Sequence, residues 1–533
     1  MRIGRVTMML TLCAVGSACQ YRVERDPQVM VRYFGSDPSS LNPIIATDAY
    51  ENVANQFVME TLLERDNATM ALRPKLAQAW ESAPDHLEYR FHLRPDVHWH
   101  DGVPLTAADV VYSFDRINDP EVGAGHLRSY FLKAGIIAAD AINAQTVRFR
   151  LERPYFLALE TIGWMPIVAR HVFDDGTPFR THPAGRVPIG TGPMRFREWK
   201  AGRYLALERN PHYWGRPMAL RGMTFKVIPD QGVAFQAMKK GEIDYTGIRP
   251  IQWARQTASP GFLARFVKMK YLPDSAGYFY IGWNLTHPIL GDQQVRQALT
   301  MLLPRQSILA ALLFDRGAMT TGPFYPRGPQ YDPAIPPWPY DPAAAGERLA
   351  AAGWSDHDGD GIRDKGGRPF AITIVYPGPS RFYDALANIV REDFRQAGIA
   401  VTAQLMEWTV FLKTVNDKKY DAYFGGWAGG GYEMDPHQIW HSSQIEQGSN
   451  YVGFVNAEAD ALIDRARQEF DPGRRNAMYH RLHQIIHEVQ PYTFLYVLEA
   501  LAVRHHRFTN VMLYPNGPDL AEWGVGSSGP LLQ

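Results

Sequence analysis

Cysteine is nearly missing from this 533-residue chain: the two present are Cys13 and Cys19. No disulfide can form in the body of the protein, and a redox role is excluded with it. Neither sign of charge prevails, because Lys+Arg and Asp+Glu stand at 55 each. Nucleic acid is therefore not an expected partner, since no basic excess exists to neutralise phosphates. Beyond the N-terminus no run is long and apolar enough to read as a membrane span. Enzyme signatures are absent too: no G-x-S-x-G elbow, complete H-E-x-x-H, P-loop or G-x-G-x-x-G occurs. His487 and Glu488 begin a zinc motif, but Val-Gln-Pro follows and ends the helix first.

What is present is globular, with 46% hydrophobic and 21% charged residues, in a chain long enough for two or three domains. Tyr, Phe and Trp number 26, 26 and 13, enough for a large pocket as well as a core. Residues 1–19 read as an export signal. Arg2 and Arg5 start it, 6–15 are mostly apolar, and Gly16, Ser17 and Ala18 precede Cys19. The ending resembles the lipobox of bacterial lipoproteins, in which the Cys becomes the lipid-bearing first residue; Gly16 departs from the larger aliphatic usual there. Lipidation is thus expected at Cys19, on the periplasmic or cell-surface side of a membrane. A chain starting there loses Arg2 and Arg5 and no acid, leaving 53 bases against 55 acids. Residues 20–28 form a polar tether.

Periodicity alternates strands and helices without repeats, the pattern of mixed α/β domains. Strands are expected at 29–35, 87–93, 147–151, 194–199, 204–209, 223–228, 278–284, 372–376, 420–424 and 493–501. Helices are expected at 48–63, 231–240, 293–303, 342–352, 382–398, 457–470 and 472–489. Thr106 with Asp109 makes a capping box for another helix, and Gly398 suits the position after a helix end. Residues 322–342 form a stiff connection dense in proline and aromatics.

The most informative stretch is 425–443, GGWAGGGYEMDPHQIWHSS. Glycines let backbone approach a ligand closely, and Trp427 adds a flat apolar face with one donor. That combination suits a site that reads another molecule's main chain; the alternative is a surface loop with a buried Trp.

Four blocks carry a family resemblance: HDGVPLTAADVVYSFDRI at 100–117, GTGPMRFREWKAGRYLALERNPHYW at 190–214, NLTHPILGDQQVRQALTMLL at 284–303, and DPHQIWHSSQ at 435–444 followed by QPYTFLY at 490–496. Together they resemble the family 5 extracellular solute-binding proteins, receptor subunits of peptide ABC importers. The resemblance implies a periplasmic-binding-protein-like fold with two lobes that close on a ligand by hinge motion. It maps the first lobe to 28–58, 188–280 and 495–533, an extra small domain to 59–187, and the second lobe to 281–494. The hinge is expected near Tyr280 and Phe494. It implies that an extended peptide pairs with both lobes and drops its side chains into roomy wet pockets. The second-lobe contacts would be Gly425, Gly426, Trp427, Ala428 and Gly429, and the first-lobe contacts Ala49, Tyr50 and Glu51. Similar receptors hold the peptide ammonium with an Asp three residues after the matching Trp. Here that position is Gly430, so Glu433 and Asp435 are the nearest acids. The implied partners are a peptide and a membrane permease, for a membrane-tethered monomer that needs no cofactor. Some members take oligosaccharides or nickel chelates instead, and an exported hydrolase on the same fold is the alternative of a different class.

Two further patterns stand apart. Asp356, Asp358, Asp360 and Asp364 have the spacing of a short calcium loop, where the ion would be structural; the alternative is an Asp-Gly-rich turn. His480, His483 and His487 share a face of the helix at 472–489, expected to be solvated rather than a metal site.

Overall fold

The computed structural model describes residues 25–526, so Cys19, the signal and most of the tether lie outside the described residues. Among the described residues no helix is long and apolar enough to cross a membrane. Three sheets organise the chain.

The first sheet has seven strands in the order Phe266–Tyr271, Ala500–His505, Tyr245–Gly247, Val29–Phe34, Gly222–Val227, Tyr204–Arg209, Met194–Lys200. Its central strand, Val29–Phe34, runs parallel to both neighbours. The alternation of that strand buries Met30 and Phe34 against Phe225 and the helix Ala49–Val58. The N- and C-terminal parts of this lobe meet at buried Asp244, which accepts from the Val31 N–H at 2.7 Å and pairs with Arg507 at 2.7 Å.

The second sheet has six strands, ordered Gly317–Met319, Tyr492–Leu498, Tyr278–Trp283, Ala422–Trp427, Ala371–Pro377, Ala400–Met406. The helices Gln293–Met301 and Arg381–Gln396 cover one face, where Val295, Leu299, Leu386, Val390 and Phe394 join one core. Aromatic rings fill the other: Tyr280 stacks on Tyr492 with centroids 3.8 Å apart. A third sheet of four strands, running between 77 and 151, belongs to a separate core built on Phe91, Phe114 and Phe149. There Asp109 accepts from the Thr106 N–H at 2.8 Å, closing the helix start its sequence announces.

The chain passes between the two larger sheets at 272–277 and at Glu499. Tyr280 and Phe494, expected at those crossings, are instead paired with each other inside the second sheet. Residues 492–505 look like one apolar run but form two strands of different sheets, split at Glu499.

Candidate functional site

The glycine stretch enters the second sheet. Strand Ala422–Trp427 pairs with Tyr278–Trp283 along its whole length. On its other side it pairs with Ala371–Pro377 only at Ala422 and Tyr423. Among the described residues, 424–427 therefore have no strand partner on that side. A cavity of about 620 Å³ opens there, lined by Gly425, Gly426, Trp427 and Ala428 together with Phe279, Tyr383 and Trp408.

The glycines differ in how far they are required, and none at 425–430 adopts a positive φ. A Cβ at Gly425 would lie 2.6 Å from the Tyr280 ring and 2.7 Å from Tyr423. Gly425 is thus bare to admit the protein's own aromatics. A Cβ at Gly426 would meet nothing nearer than Phe279 at 3.4 Å. At Gly429 the close neighbour is the Ser275 backbone at 2.5 Å, and the Gly429 N–H donates to the Ser275 carbonyl at 3.2 Å. Gly429 therefore anchors the strand to the crossing at 272–277. Gly425→Ala should then cost about 1–3 kcal/mol through overpacking and Gly426→Ala less than about 1 kcal/mol, measured as urea unfolding midpoints of the two variants.

Trp427 is half-buried. Its indole N–H donates to the Tyr492 hydroxyl at 3.3 Å and its ring stacks on Tyr451 at 5.8 Å. A side chain at Gly430 would collide with Met434, 2.7 Å away. The position where an ammonium-binding Asp was expected thus has no room for one.

The expected acids are committed elsewhere. Glu433 pairs with Arg475 at 2.7 Å. Asp435, with a side chain only 2% exposed, meets Arg467 at 3.0 Å and Lys133 at 3.3 Å, and accepts from the Tyr155 hydroxyl at 3.1 Å. Burial pushes its pKa up, but Lys133 and Arg467 outweigh this and hold it below the ordinary carboxylate value. Tyr155 belongs to the core of the four-stranded sheet and Lys133 to the helix Gly125–Ala134 packed in it, so Asp435 ties that core to the 425–443 stretch.

The first-lobe assignment also changes. Ala49, Tyr50 and Glu51 form the first turn of helix Ala49–Val58, not a strand edge, because Asp48 and Glu51 make a capping box. The buried Glu51 carboxylate accepts the N–H groups of Ser39, Ser40, Thr47 and Asp48 at 2.8–3.1 Å. Burial works against its charge, yet the Ser39 hydroxyl and these amides hold its pKa below the ordinary value. Glu51 orders the preceding loop and has no lone pair to spare for a ligand.

Asp356, Asp358 and Asp360 do gather, with carboxylate oxygens within 4.8 Å of one another. Asp364 is not among them; it accepts the His357 N–H at 3.0 Å and faces that residue's ring at 3.2 Å. Asp356 already accepts from Gly359 at 2.7 Å and Gly361 at 3.1 Å, so the turn closes on its own Asp-to-backbone bonds.

The histidines at 480, 483 and 487 lie on no solvated face. His480 meets the Pro329 carbonyl at 3.0 Å, His483 meets the Thr321 hydroxyl at 3.1 Å, and His487 meets the Thr321 carbonyl at 3.4 Å. The polar face of Pro472–Val489 is packed against the proline-rich connection.

The wall opposite the glycine strand comes from a helix, Trp408–Asn416, absent from the expected elements. Its signal was legible: Trp408, Phe411, Leu412 and Val415 recur at helical spacing, and all four line the cavity. Glu407 caps it, accepting from Thr409 at 2.8 Å and Val410 at 3.2 Å.

Comparison with known proteins gives this architecture its relatives. A model of the bacterial extracellular solute-binding proteins, family 5 (middle region), matches residues 71–449. The oligopeptide-binding protein AppA of Bacillus subtilis (strain 168) is 32% identical over 472 residues, 86% of this chain and 84% of the relative. The dipeptide-binding protein of Escherichia coli (strain K12) is 26% identical over 518 residues, 92% of each chain. The solved structure of Bacillus subtilis AppA in complex with a nonapeptide superposes with a TM-score of 0.72 at 27% identity, covering 93% of this chain and 99% of that one. NikA from Brucella suis in complex with Fe(III)-EDTA gives 0.80 at 25%, with the same coverage. With three sheets in this order, two chain crossings between the larger ones and most of its length matched, the protein belongs to the bacterial extracellular solute-binding proteins of family 5.

Proposed function

We propose that this protein is the substrate-binding subunit of an ABC importer and that its ligand is a peptide. The observation that carries the reading is the unpaired side of 424–427 facing a cavity of about 620 Å³. A strand edge with free N–H and C=O groups accepts another chain's backbone without reading its sequence. Relatives named for oligopeptide and dipeptide binding, and a relative solved with a nonapeptide, support the same ligand class. The mechanism is binding and lobe closure about 272–277 and Glu499, with no bond made or broken. Delivery is to a membrane permease, from a monomer tethered by lipid at Cys19 on the periplasmic or cell-surface side of a membrane. No cofactor is required.

A receptor for an oligosaccharide or metal chelate is the competing reading, with the NikA likeness behind it. The cavity wall offers no imidazole and a single carboxylate, Glu499, to a metal complex. Mass spectrometry of ligand released from the purified protein decides between them. A ladder of peptides is the expected result; a sugar or metal complex overturns it. Turnover of a peptide library with no retained ligand would instead favour a hydrolase.

A further inference from the structure

The cavity beside the glycine strand is lined mainly by aromatic and apolar side chains. One wall is Phe279 and Tyr383, the latter stacked on Phe424 at 5.9 Å. The other is the helix Trp408–Asn416, with Trp408 stacked on Phe411 at 5.9 Å and Leu412 and Val415 beside them. The lining holds no Ser, Thr, Asn, Gln or His, and Glu499 is its one formal charge. Glu499 is already flanked by Lys270 at 3.3 Å and Arg316 at 3.9 Å. Trp408 is nonetheless 55% exposed, with Val410 at 54% and Leu405 at 50% nearby on the same helix and the strand before it. The exposed Trp408 ring, in the lining beside the unpaired strand edge, is apolar surface that a ligand side chain would cover.

We infer that the cavity is a specificity pocket for a bulky apolar side chain, aromatic or branched aliphatic, of the peptide whose backbone lies along 424–427. The inference rests on the peptide reading above and adds the class of peptide. The free edge fixes where the main chain runs, so a side chain beside it can enter the cavity that Phe279, Tyr383 and Trp408 line. A Lys, Arg, Asp or Glu there would lose its water among aromatic rings, with tyrosine hydroxyls as the hydrogen-bonding side chains and Glu499 already shared by Lys270 and Arg316. An Ala would leave most of the cavity unfilled.

The test is calorimetric titration of the full-length mature protein, freed of retained ligand, with a pentapeptide series. The parent is all alanine, and Phe, Leu, Lys or Glu is placed at each position in turn. At one position Phe or Leu should tighten binding about tenfold or more over Ala, while Lys and Glu at that position weaken it. Trp408→Ala, at an exposed site, should cut the gain of the Phe peptide over the parent peptide to below about threefold. If every peptide binds alike, or if Lys is accepted wherever Phe is, the pocket inference falls and the peptide reading stands. If no member binds at about 1 mM, the peptide reading falls and takes the inference with it.

Discussion

Replacing Asp435 by Ala should destabilise the protein by about 3–5 kcal/mol, the cost of stranding buried partners of a removed charge. Four groups converge on this carboxylate: Arg467 at 3.0 Å, Lys133 at 3.3 Å, the Tyr155 hydroxyl at 3.1 Å and the His437 N–H at 3.0 Å. Removing it leaves two cations and two further donors facing each other with no acceptor between them. The Phe156 N–H donates to the Arg467 carbonyl at 3.0 Å, and the Arg475 guanidinium covers the Phe156 ring at 4.8 Å. Exchanging Arg467 for Met in the same chain removes one stranded charge and should recover part of the loss. Urea unfolding followed by tryptophan fluorescence measures both. Had Asp435 been the ligand's ammonium partner, the unfolding midpoint would stay and peptide affinity alone would fall.

Asp435 also marks where sequence reading reaches its limit. Its presence near a Gly-rich loop is local information, whereas Lys133 and Tyr155 approach from about three hundred positions upstream. Nothing in DPHQIWHSS announces them. The same holds for Gly425, whose need for a missing side chain is set by the Tyr280 ring across the sheet. Features decided within a few residues were legible: the Thr106–Asp109 cap, the left-handed Gly398 after its helix, and the long helix Pro472–Val489. Glu51 stood between the two kinds. Asp48-Ala-Tyr-Glu51 is a capping box by spacing alone, and reading it so would have removed these residues from the ligand site. The switch of sheets at Glu499 was not legible, because residues on either side are equally apolar and both sheets bury them. The histidine face at 480–487 misled for a related reason: polar side chains at helical spacing look solvated until another segment's carbonyls are brought to them.

That buried histidine face predicts a loss of stability in mild acid. His483 is fully buried. Its Nδ1 accepts the Asp332 N–H at 3.2 Å, so its Nε2–H is the donor to the Thr321 hydroxyl at 3.1 Å. Protonating Nδ1 would turn one N–H against another in a site closed by the Tyr331 ring at 4.7 Å. Burial, with His487 and His480 adding repulsion, pushes the pKa of His483 from 6.5 down to about 4, although Asp332 pulls the other way. The unfolded imidazole takes a proton below about pH 6.5 and the folded one does not. This stabilisation is therefore complete above about pH 6.5 and shrinks as pH falls toward 4, by about 3 kcal/mol for a shift of this size. His487 is also held down to about 4 by burial and adds to the same slope. Urea unfolding at pH 7, 5.5 and 4 should show the decline, and His483→Gln, which keeps one donor and one acceptor but cannot titrate, should flatten it by up to one proton. A variant that reproduces the parent's slope would mean that His483 is already charged in the fold. The Asp332 N–H would then face a donor, and the proline-rich connection would be held to Pro472–Val489 by something other than these imidazoles.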